Sequence, residues 1–227
     1  MRNGLHNAKD ELIMKREKAA KILNIIIIIL TLIGLFVMLY NNSDQGVFST
    51  QGFANLKYYT VLSNLFCGLV AVIYGVVSLL SKDNLKSSLM RRLKLMAAAC
   101  VGLTFIQIAG FFGPLYGYSE LYKGSNLYFH LIIPILAMVE FVIIDFGKIP
   151  FIDTIISAVP TFIYGFVYLV NILINGIGEW PDGNDWYGFM NWGLGVGLVI
   201  YAGIVLASFA MACALRGLNR LAGRSKS

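Results

Sequence analysis

The sequence predicts an all-α membrane protein, folded as a bundle of six transmembrane helices with both termini in the cytoplasm. Of its 227 residues 58% are hydrophobic and only 13% are charged, whereas ordinary soluble domains carry about 25% charged residues. The apolar residues fall into six segments, and each is near the ~20 residues that a helix needs to cross a bilayer. Basic residues are concentrated in alternate connections between these segments, as expected for a multi-pass protein.

The six predicted helices form one membrane domain over residues 1–227, because every connection is too short to fold alone. The first apolar run is taken as a retained helix rather than a signal peptide, since it is long enough to span and no small-residue cleavage motif follows it. A basic interfacial or cytoplasmic segment, 1–21, precedes it, and a basic cytoplasmic tail, 216–227, ends the chain. The helices are predicted at about 22–40, 58–80, 95–116, 127–144, 154–175 and 191–215, with fraying of the third at Gly113-Pro114.

Charge placement predicts the orientation. Sixteen of the 18 Lys and Arg residues lie in the segments that face the cytoplasm if the N-terminus is inside, and only Lys57 and Lys123 lie in the outer segments. This asymmetry follows the positive-inside rule. Trp186 and Tyr187 in the last outer connection suggest an interfacial aromatic belt. Short loops and tails favour a bacterial cytoplasmic membrane as the location.

Several classes of function are not expected. No basic face is interleaved with aromatic residues, so we expect no nucleic-acid partner. The three cysteines, Cys67, Cys100 and Cys213, lie in apolar segments without a CxxC pair and are predicted to be small buried hydrophobes. With only two histidines in the chain, we expect no metal site, and no cofactor motif is present.

A polar stripe opens the second predicted helix. Lys57, Thr60 and Asn64 share one face at i, i+3 and i+7, and such a face in a membrane helix is costly unless it meets polar groups. His130, near the outer end of the fourth helix, should lie at the depth of Thr60. We therefore predict a polar pocket towards the outer side of the membrane. The other side chains expected to line it are Ser63, Gln107, Tyr168, Asn171 and Asn191.

Pro134 lies four residues after His130. A proline has no N–H for the carbonyl four residues earlier, and its ring crowds that carbonyl. The sequence therefore predicts a kink at His130 that leaves its carbonyl without a backbone donor. Glu140, about 15 Å further along the same helix by the 1.5 Å rise per residue, should lie near the inner face. There a basic residue among 91–94 is expected to pair with it.

Thr60 and His130 together suggest nucleophilic catalysis. A neutral imidazole can take the proton of a hydroxyl near pH 7, which lets the oxygen attack an ester carbonyl and form an acyl-enzyme. Ser63 and Asn64 are candidate donors to the oxyanion. No acidic partner for His130 is evident at the right depth, although Asp182 or Asp185 could reach it from the last outer loop.

Simpler roles are open for two of these residues. A threonine in a membrane helix commonly bonds its own i−4 carbonyl, which would leave Thr60 structural. Lys57 suits an interfacial anchor whose ammonium reaches the membrane surface. Its alternative role is to bind a substrate carboxylate above Thr60.

These residues resemble a known family. Leu56-Lys57-Tyr58-Tyr59-Thr60 followed by Ser63-Asn64, and His130-x-x-x-Pro134 followed by Glu140, look like the androgen-induced family of intramembrane threonine hydrolases and their bacterial relatives. The segment ending in Tyr187-Gly188-Phe189 is also similar. The resemblance implies a six-helix enzyme that hydrolyses fatty acid esters of hydroxy fatty acids, with Thr60 as nucleophile and His130 as base. Phe129 and Leu131 replace polar neighbours of the family histidine, which leaves the substrate open.

The sequence therefore favours a threonine-dependent carboxylic ester hydrolase whose partners are a lipid ester substrate and the surrounding membrane lipids. One alternative is a multi-pass protein that binds a lipid or small molecule without catalysis, as a carrier or sensor. Another is a structural partner subunit without a closed pocket. The exact substrate, the physiological role and the oligomeric state do not follow from the sequence.

Overall fold

A computed structural model of the chain describes residues 2–40, 52–80, 83–179 and 183–224. Its regular structure there is helical, and six helices are long and apolar enough to cross a membrane. The predicted fold class is thus confirmed. Two 3₁₀ turns (Gly52–Lys57 and Asp83–Lys86) and a short helical turn (Tyr118–Leu121) lie between them. The six helices are α1 (Arg2–Tyr40), α2 (Tyr59–Leu80), α3 (Ser88–Tyr116), α4 (Ser125–Ile143), α5 (Phe151–Asn175) and α6 (Leu194–Arg224).

The helix ends differ from the prediction where the terminal turns are polar. Helix α1 is continuous from Arg2, so the basic segment before the first apolar run belongs to the same helix. Helix α3 begins at Ser88, seven residues before the predicted start, because the Ser87 hydroxyl accepts the Met90 N–H as an N-cap. Helix α6 begins only at Leu194, after Gly193 with φ +87. It continues to Arg224 through most of the predicted tail, whose last three residues lie outside the described ranges.

Helix α3 is the centre of the bundle and packs against α2, α4, α5 and α6. The run Ala97-Ala98-Ala99 is buried on it, and small residues allow membrane helices to approach closely. Leu95 and Leu103, above and below this run, are fully buried. Burial of α3 on all sides explains why polar groups on it must find partners within the protein.

One end of the bundle, here called the terminal end, joins the first and last helices. The Arg16 guanidinium donates to the Ala222 carbonyl at 3.0 Å, which brings the start of α1 against the end of α6. The opposite end, the loop end, carries residues 52–58, 117–124 and 183–193. Which end faces the cytoplasm remains the prediction made from charge placement.

Charged side chains near the terminal end are buried and paired. The Lys94 ammonium contacts both carboxylate oxygens of Glu140 at 2.7 and 2.8 Å and donates to the Asn24 side-chain oxygen at 2.6 Å. The predicted basic partner of Glu140 is therefore Lys94. Asp153, completely buried, accepts hydrogen bonds from Arg91 and Arg92 at 2.7 and 2.8 Å. These pairs fix α1, α3, α4 and α5 relative to one another.

Candidate functional site: a polar cavity at the loop end

A cavity of about 100 Å³ lies among α2, α3, α4, α5 and α6 at the loop end. A buried water needs ~10–15 Å³ of such volume, so the cavity has room for roughly seven to ten waters. Four of the residues predicted for the site line it, namely Thr60, Gln107, Tyr168 and His130. Polar residues that were not predicted also line it, among them Tyr59, Thr104, Lys123, Thr161 and Tyr164.

Thr60 is the second residue of α2, and its hydroxyl makes no hydrogen bond within the described part of the chain. The structural alternative would bond it to the i−4 carbonyl. Two other threonines do this: Thr31 donates to the Ile27 carbonyl at 2.8 Å, and Thr104 donates to the Cys100 carbonyl at 3.5 Å. Thr60 differs because a 3₁₀ turn, not a preceding helical turn, leads into α2. Its hydroxyl is left available to the cavity.

Aromatic side chains from the last connection hold the start of α2. The Tyr187 hydroxyl accepts the Tyr59 N–H at 2.8 Å, one residue before Thr60. The Tyr164 hydroxyl donates to the Lys57 carbonyl at 2.6 Å and accepts the Trp186 indole N–H at 3.2 Å. Burial raises the pKa of Tyr187 well above its ordinary value, so this hydroxyl stays neutral.

Trp186 and Tyr187, for which the sequence suggests a belt at the membrane interface, also contact the bundle. Their rings pack inward against Tyr168, with ring centroids 4.8 and 5.8 Å from it. Each residue is only partly exposed. Tyr and Trp combine a large apolar ring with one polar atom, which suits both places. Composition alone could not predict the contacts with the bundle, because they depend on how the connection folds back over α2 and α5.

His130 is buried, with 6% of its surface exposed, and its ring is oriented by a single backbone carbonyl. Nδ1 lies 2.7 Å from the Leu121 carbonyl oxygen. A carbonyl can only accept, so Nδ1 carries the proton, and in the neutral ring Nε2 is then an acceptor. No residue in the described ranges hydrogen-bonds to Nε2. The ring thus faces a cavity that it shares with Thr60 while retaining an unoccupied basic nitrogen.

The backbone around His130 takes a form that the sequence does not predict. Tyr128–Ile132 is a π-helical segment, in which the Ile133 N–H bonds the Tyr128 carbonyl five residues earlier. At this spacing the carbonyl five residues before Pro134 loses its backbone donor. That carbonyl belongs to Phe129 rather than to His130. The Asn64 amide fills this place, since its Nδ2 lies 2.9 Å from the Phe129 oxygen. Pro134 does leave a carbonyl without a backbone donor, but the π segment moves this loss from His130 to Phe129.

Asn64 connects the two halves of the candidate site. Its Nδ2 also donates to the Thr60 carbonyl at 2.8 Å, so one amide joins the backbone of Thr60 to that of Phe129, the neighbour of His130. Two carbonyl partners fix the amide orientation. Its Oδ1 is buried without a hydrogen-bond partner in the described ranges. The structure therefore uses Asn64 to position the site.

A second π segment borders the same cavity. Ile108–Phe112 on α3 is followed by Pro114, and the Gly113 N–H bonds the Ile108 carbonyl. The next carbonyl, Ala109, again lacks its donor because of the proline, and it accepts the Tyr118 hydroxyl at 2.8 Å. The predicted fraying at Gly113-Pro114 does not occur, since the π segment and this side chain carry the helix on to Tyr116. Gln107 immediately precedes this segment and lines the cavity.

The other predicted site residues lie outside the cavity lining. The Ser63 hydroxyl donates to the Thr60 carbonyl at 3.0 Å, and both Asn64 N–H groups are occupied, so neither acts as the predicted oxyanion donor. The Lys57 ammonium lies over the rings of Tyr58 and Trp186, at 5.5 and 5.8 Å, as an anchor would. Asn171 donates to the Asn184 side chain at 3.2 Å, and Asn191 is exposed.

Asp185, one of the two proposed acidic partners, does not reach His130. Asp185 is buried and accepts the N–H groups of Phe189 and Met190 at 3.0 and 2.8 Å as well as the Tyr168 hydroxyl. It closes the turn before α6. Asp182 lies outside the described residues. The ring of His130 is instead oriented by a main-chain carbonyl, a partner that no sequence pattern identifies.

The chemical groups lining the cavity are aliphatic hydroxyls, an imidazole, side-chain amides, a lysine ammonium and several phenols. In the described ranges no three His, Cys, Asp or Glu residues come together in a metal-binding group. Thr60 and His130 line the same cavity, while Asn64, Tyr187 and Leu121 take positioning roles that the sequence does not reveal. In comparison with known proteins, the chain matches no family model, no curated protein and no solved structure.

Proposed function

We propose that the protein is an intramembrane hydrolase of lipid esters in which Thr60 is the nucleophile and His130 the general base. One observation carries the proposal: Thr60 and His130 line the same cavity, and neither the hydroxyl nor Nε2 has a hydrogen-bond partner in the described ranges. Thr60 is half-buried and His130 is buried, and polar groups inside a membrane protein are normally paired with the protein, water or a ligand. Two unpaired groups of complementary chemistry are what an empty Thr–His site requires.

The first step would form an acyl-enzyme. Nε2 of His130 takes the Thr60 hydroxyl proton as the oxygen attacks the ester carbonyl carbon. The tetrahedral intermediate collapses, its bond to the alkoxy oxygen breaks, and the alcohol leaves with the proton from His130. The Nδ1 bond to the Leu121 carbonyl keeps the ring in the tautomer that this transfer needs.

The second step would release the acid. His130 takes a proton from water, the hydroxide attacks the Thr60 ester, and the threonine oxygen leaves with the proton. The Gln107 side-chain amide is our candidate donor to the oxyanion in both steps. It lines the cavity and makes no hydrogen bond to the rest of the described chain.

The cavity suits the ester end of a lipid. It is bordered by apolar residues as well as polar ones, and its volume accommodates the ester group and the first carbons of the chains, not a whole long-chain lipid. Lys123, exposed at the cavity rim and paired with Glu120 at 2.7 Å, is the basic residue placed to meet a substrate carboxylate. Fatty acid esters of hydroxy fatty acids carry such a carboxylate, and they are the substrates we propose.

A fluorophosphonate probe with an alkyl chain tests the nucleophile. In the purified protein the probe should form one covalent adduct, located at Thr60 by peptide mass spectrometry. The adduct should be lost in Thr60→Val and strongly reduced in His130→Gln. In both variants the rate of hydrolysis of a fatty acid ester of a hydroxy fatty acid should also fall, by at least the ~10²-fold that general-base catalysis supplies.

Two nearby hydroxyls provide matched controls. Ser63→Ala removes a hydroxyl one turn from Thr60 that does not line the cavity, and Thr104→Val removes one that does. Both variants should keep the adduct. Labelling that persists in Thr60→Val would disprove the nucleophile, and a lipid ester that binds but is never cleaved would favour the carrier or sensor.

A further inference from the structure

A second cavity, of about 440 Å³, lies at the terminal end and plays no part in the proposed hydrolysis. It is enclosed by the first helix near Arg16, the turn between α4 and α5, and the last turns of α6. Among the described residues, four basic side chains and one carboxylate, that of Asp145, line it; the basic residues are Arg16, Lys148, Arg216 and Arg220. This composition differs from that of the buried pairs nearby, in which each basic side chain contacts a carboxylate.

The backbone around this cavity is already satisfied. The Asn219 amide donates to three carbonyls at the end of α4, those of Phe141, Val142 and Ile144, at 2.9, 3.2 and 2.8 Å. The Arg216 Nε donates to the Ile149 carbonyl at 2.8 Å. The free carbonyls at a helix end would otherwise attract cations. Because side chains cover them, the basic groups in the cavity are not needed there.

These basic groups retain donors. Arg216 uses one of its five N–H groups on Ile149 and rests against the Phe151 ring, 5.8 Å away. Lys148 and Arg220 have neither an ion pair nor a hydrogen bond to any residue in the described ranges. Asp145 accepts the Gly147 N–H at 3.2 Å, which stabilises the turn that carries Lys148. The cavity can therefore offer several N–H groups to one anion.

Large apolar side chains surround this cationic site. Phe151 and Ile152 at the start of α5 are about half exposed, as are Leu218 and Leu221 on α6. They belong to helices that span the membrane, so these surfaces would contact acyl chains. A soluble phosphate would use the basic groups alone, whereas a phospholipid would use both surfaces. Basic pockets between membrane helices are known to bind anionic headgroups.

We propose that this cavity binds the phosphate headgroup of an anionic phospholipid, with Lys148, Arg216 and Arg220 contacting the phosphate. Its acyl chains lie along the exposed apolar surface of α5 and α6. The inference does not depend on the proposed hydrolase, because the site lies at the other end of the bundle and uses different residues. A bound lipid there would join α1, α4 and α6 at the membrane surface.

The test is native mass spectrometry of the full chain in detergent, with phosphatidylglycerol and phosphatidylcholine of matched acyl chains. We expect tighter binding of phosphatidylglycerol. Each basic residue near a membrane contributes roughly five-fold to such binding, so Lys148→Gln/Arg220→Gln should weaken it by about 30-fold. The control Lys18→Gln/Lys21→Gln makes the same charge change on α1 outside the cavity and should stay within about two-fold.

A gain of affinity separates binding from misfolding. Asp145→Asn keeps an oxygen for the Gly147 N–H but removes the carboxylate from the cavity, so phosphatidylglycerol should bind about five-fold more tightly. Three results would overturn the proposal: equal binding of the two lipids by the parent protein, equal losses in the two double variants, or an unchanged or weaker Asp145→Asn. Complete displacement by glycerol phosphate, tested at the same concentration as the lipid, would show a site for soluble phosphate instead.

Discussion

The charged cluster at the terminal end, formed by Lys94 with Glu140 and by Arg91 and Arg92 with Asp153, differs from the loop-end cavity in how its polar groups are paired. Around Lys94 every strong donor or acceptor has a partner: Glu140 and Asn24 bond the ammonium, which also lies 4.5 Å from the centre of the Tyr74 ring. In the cavity, the Thr60 hydroxyl and the His130 Nε2 have none in the described ranges. Full pairing stabilises a bundle, whereas unpaired groups beside a cavity are available to a ligand. Under the proposed function, this difference separates structural from functional polar groups.

The largest expected effect lies in the cluster. Glu140→Gln leaves the Lys94 ammonium buried without its counter-charge, and breaking a buried pair typically costs 3–5 kcal/mol. We expect the free energy of unfolding, measured by sodium dodecyl sulfate titration in mixed micelles, to fall by about 3–5 kcal/mol. Ester hydrolysis by the fraction that remains folded should change little.

Two variants check that burial causes this loss. Lys94→Met/Glu140→Gln removes both charges and should be closer in stability to the parent than Glu140→Gln alone. Glu120→Gln breaks the Lys123–Glu120 pair, whose side chains are 51% and 45% exposed, and should cost less than about 1 kcal/mol. If the two pairs proved equally important, the contrast drawn here would be wrong.

Much of this comparison could be predicted from the sequence. Hydropathy identifies the six helices, and helical spacing places Glu140 near the basic start of α3. The equal depth of Thr60 and His130 in neighbouring helices predicts that they meet. The helix and Glu140 predictions succeed because each depends only on local periodicity or on the rise per residue. Thr60 and His130 line one cavity, and their direct contact stays a prediction.

The remaining features depend on register and long-range contacts. Pro134 reveals that some carbonyl loses its donor, but only the π segment determines that it belongs to Phe129. Asn64 looks like a catalytic donor in the sequence, and its partners across two helices show a positioning role. The polar ends of α1 and α6 carry no hydropathy signal, so the sequence predicts a separate basic segment and a separate tail where these helices continue.

An intermediate effect on stability and activity is expected at Asn64, which positions the backbone beside the cavity. Asn64→Leu leaves the Phe129 carbonyl without its side-chain donor and removes the tie to Thr60. An unsatisfied buried group costs about 1–3 kcal/mol, so we expect a loss of stability in this range. Hydrolysis should fall more than 10-fold, because Thr60 and His130 are no longer held together.

The prolines that follow the two π segments provide a matched pair of variants to test this prediction. Pro134→Ala restores an N–H at the position that the Phe129 carbonyl lacks, so it should offset part of the stability lost in Asn64→Leu. Pro114→Ala makes the same change beside Ala109, whose carbonyl is bonded by Tyr118, and its effect should add to that of Asn64→Leu. Double-mutant cycles measure both couplings. A Pro134→Ala cycle that is simply additive would contradict the role assigned to Asn64.

The smallest effect on stability is expected at the residue with the largest proposed role in catalysis. Thr60→Val keeps the shape of the side chain and removes a hydroxyl that has no hydrogen bond in the described ranges. Its unfolding free energy should therefore stay within about 0.5 kcal/mol of the parent. Thr31→Val, in contrast, removes a hydroxyl bonded to the Ile27 carbonyl and packed against Gly68, where it lies 3.0 Å from the position of an added Cβ. That variant should lose about 1 kcal/mol while keeping activity, so an equal loss in the two threonine variants would mean that Thr60 is structural.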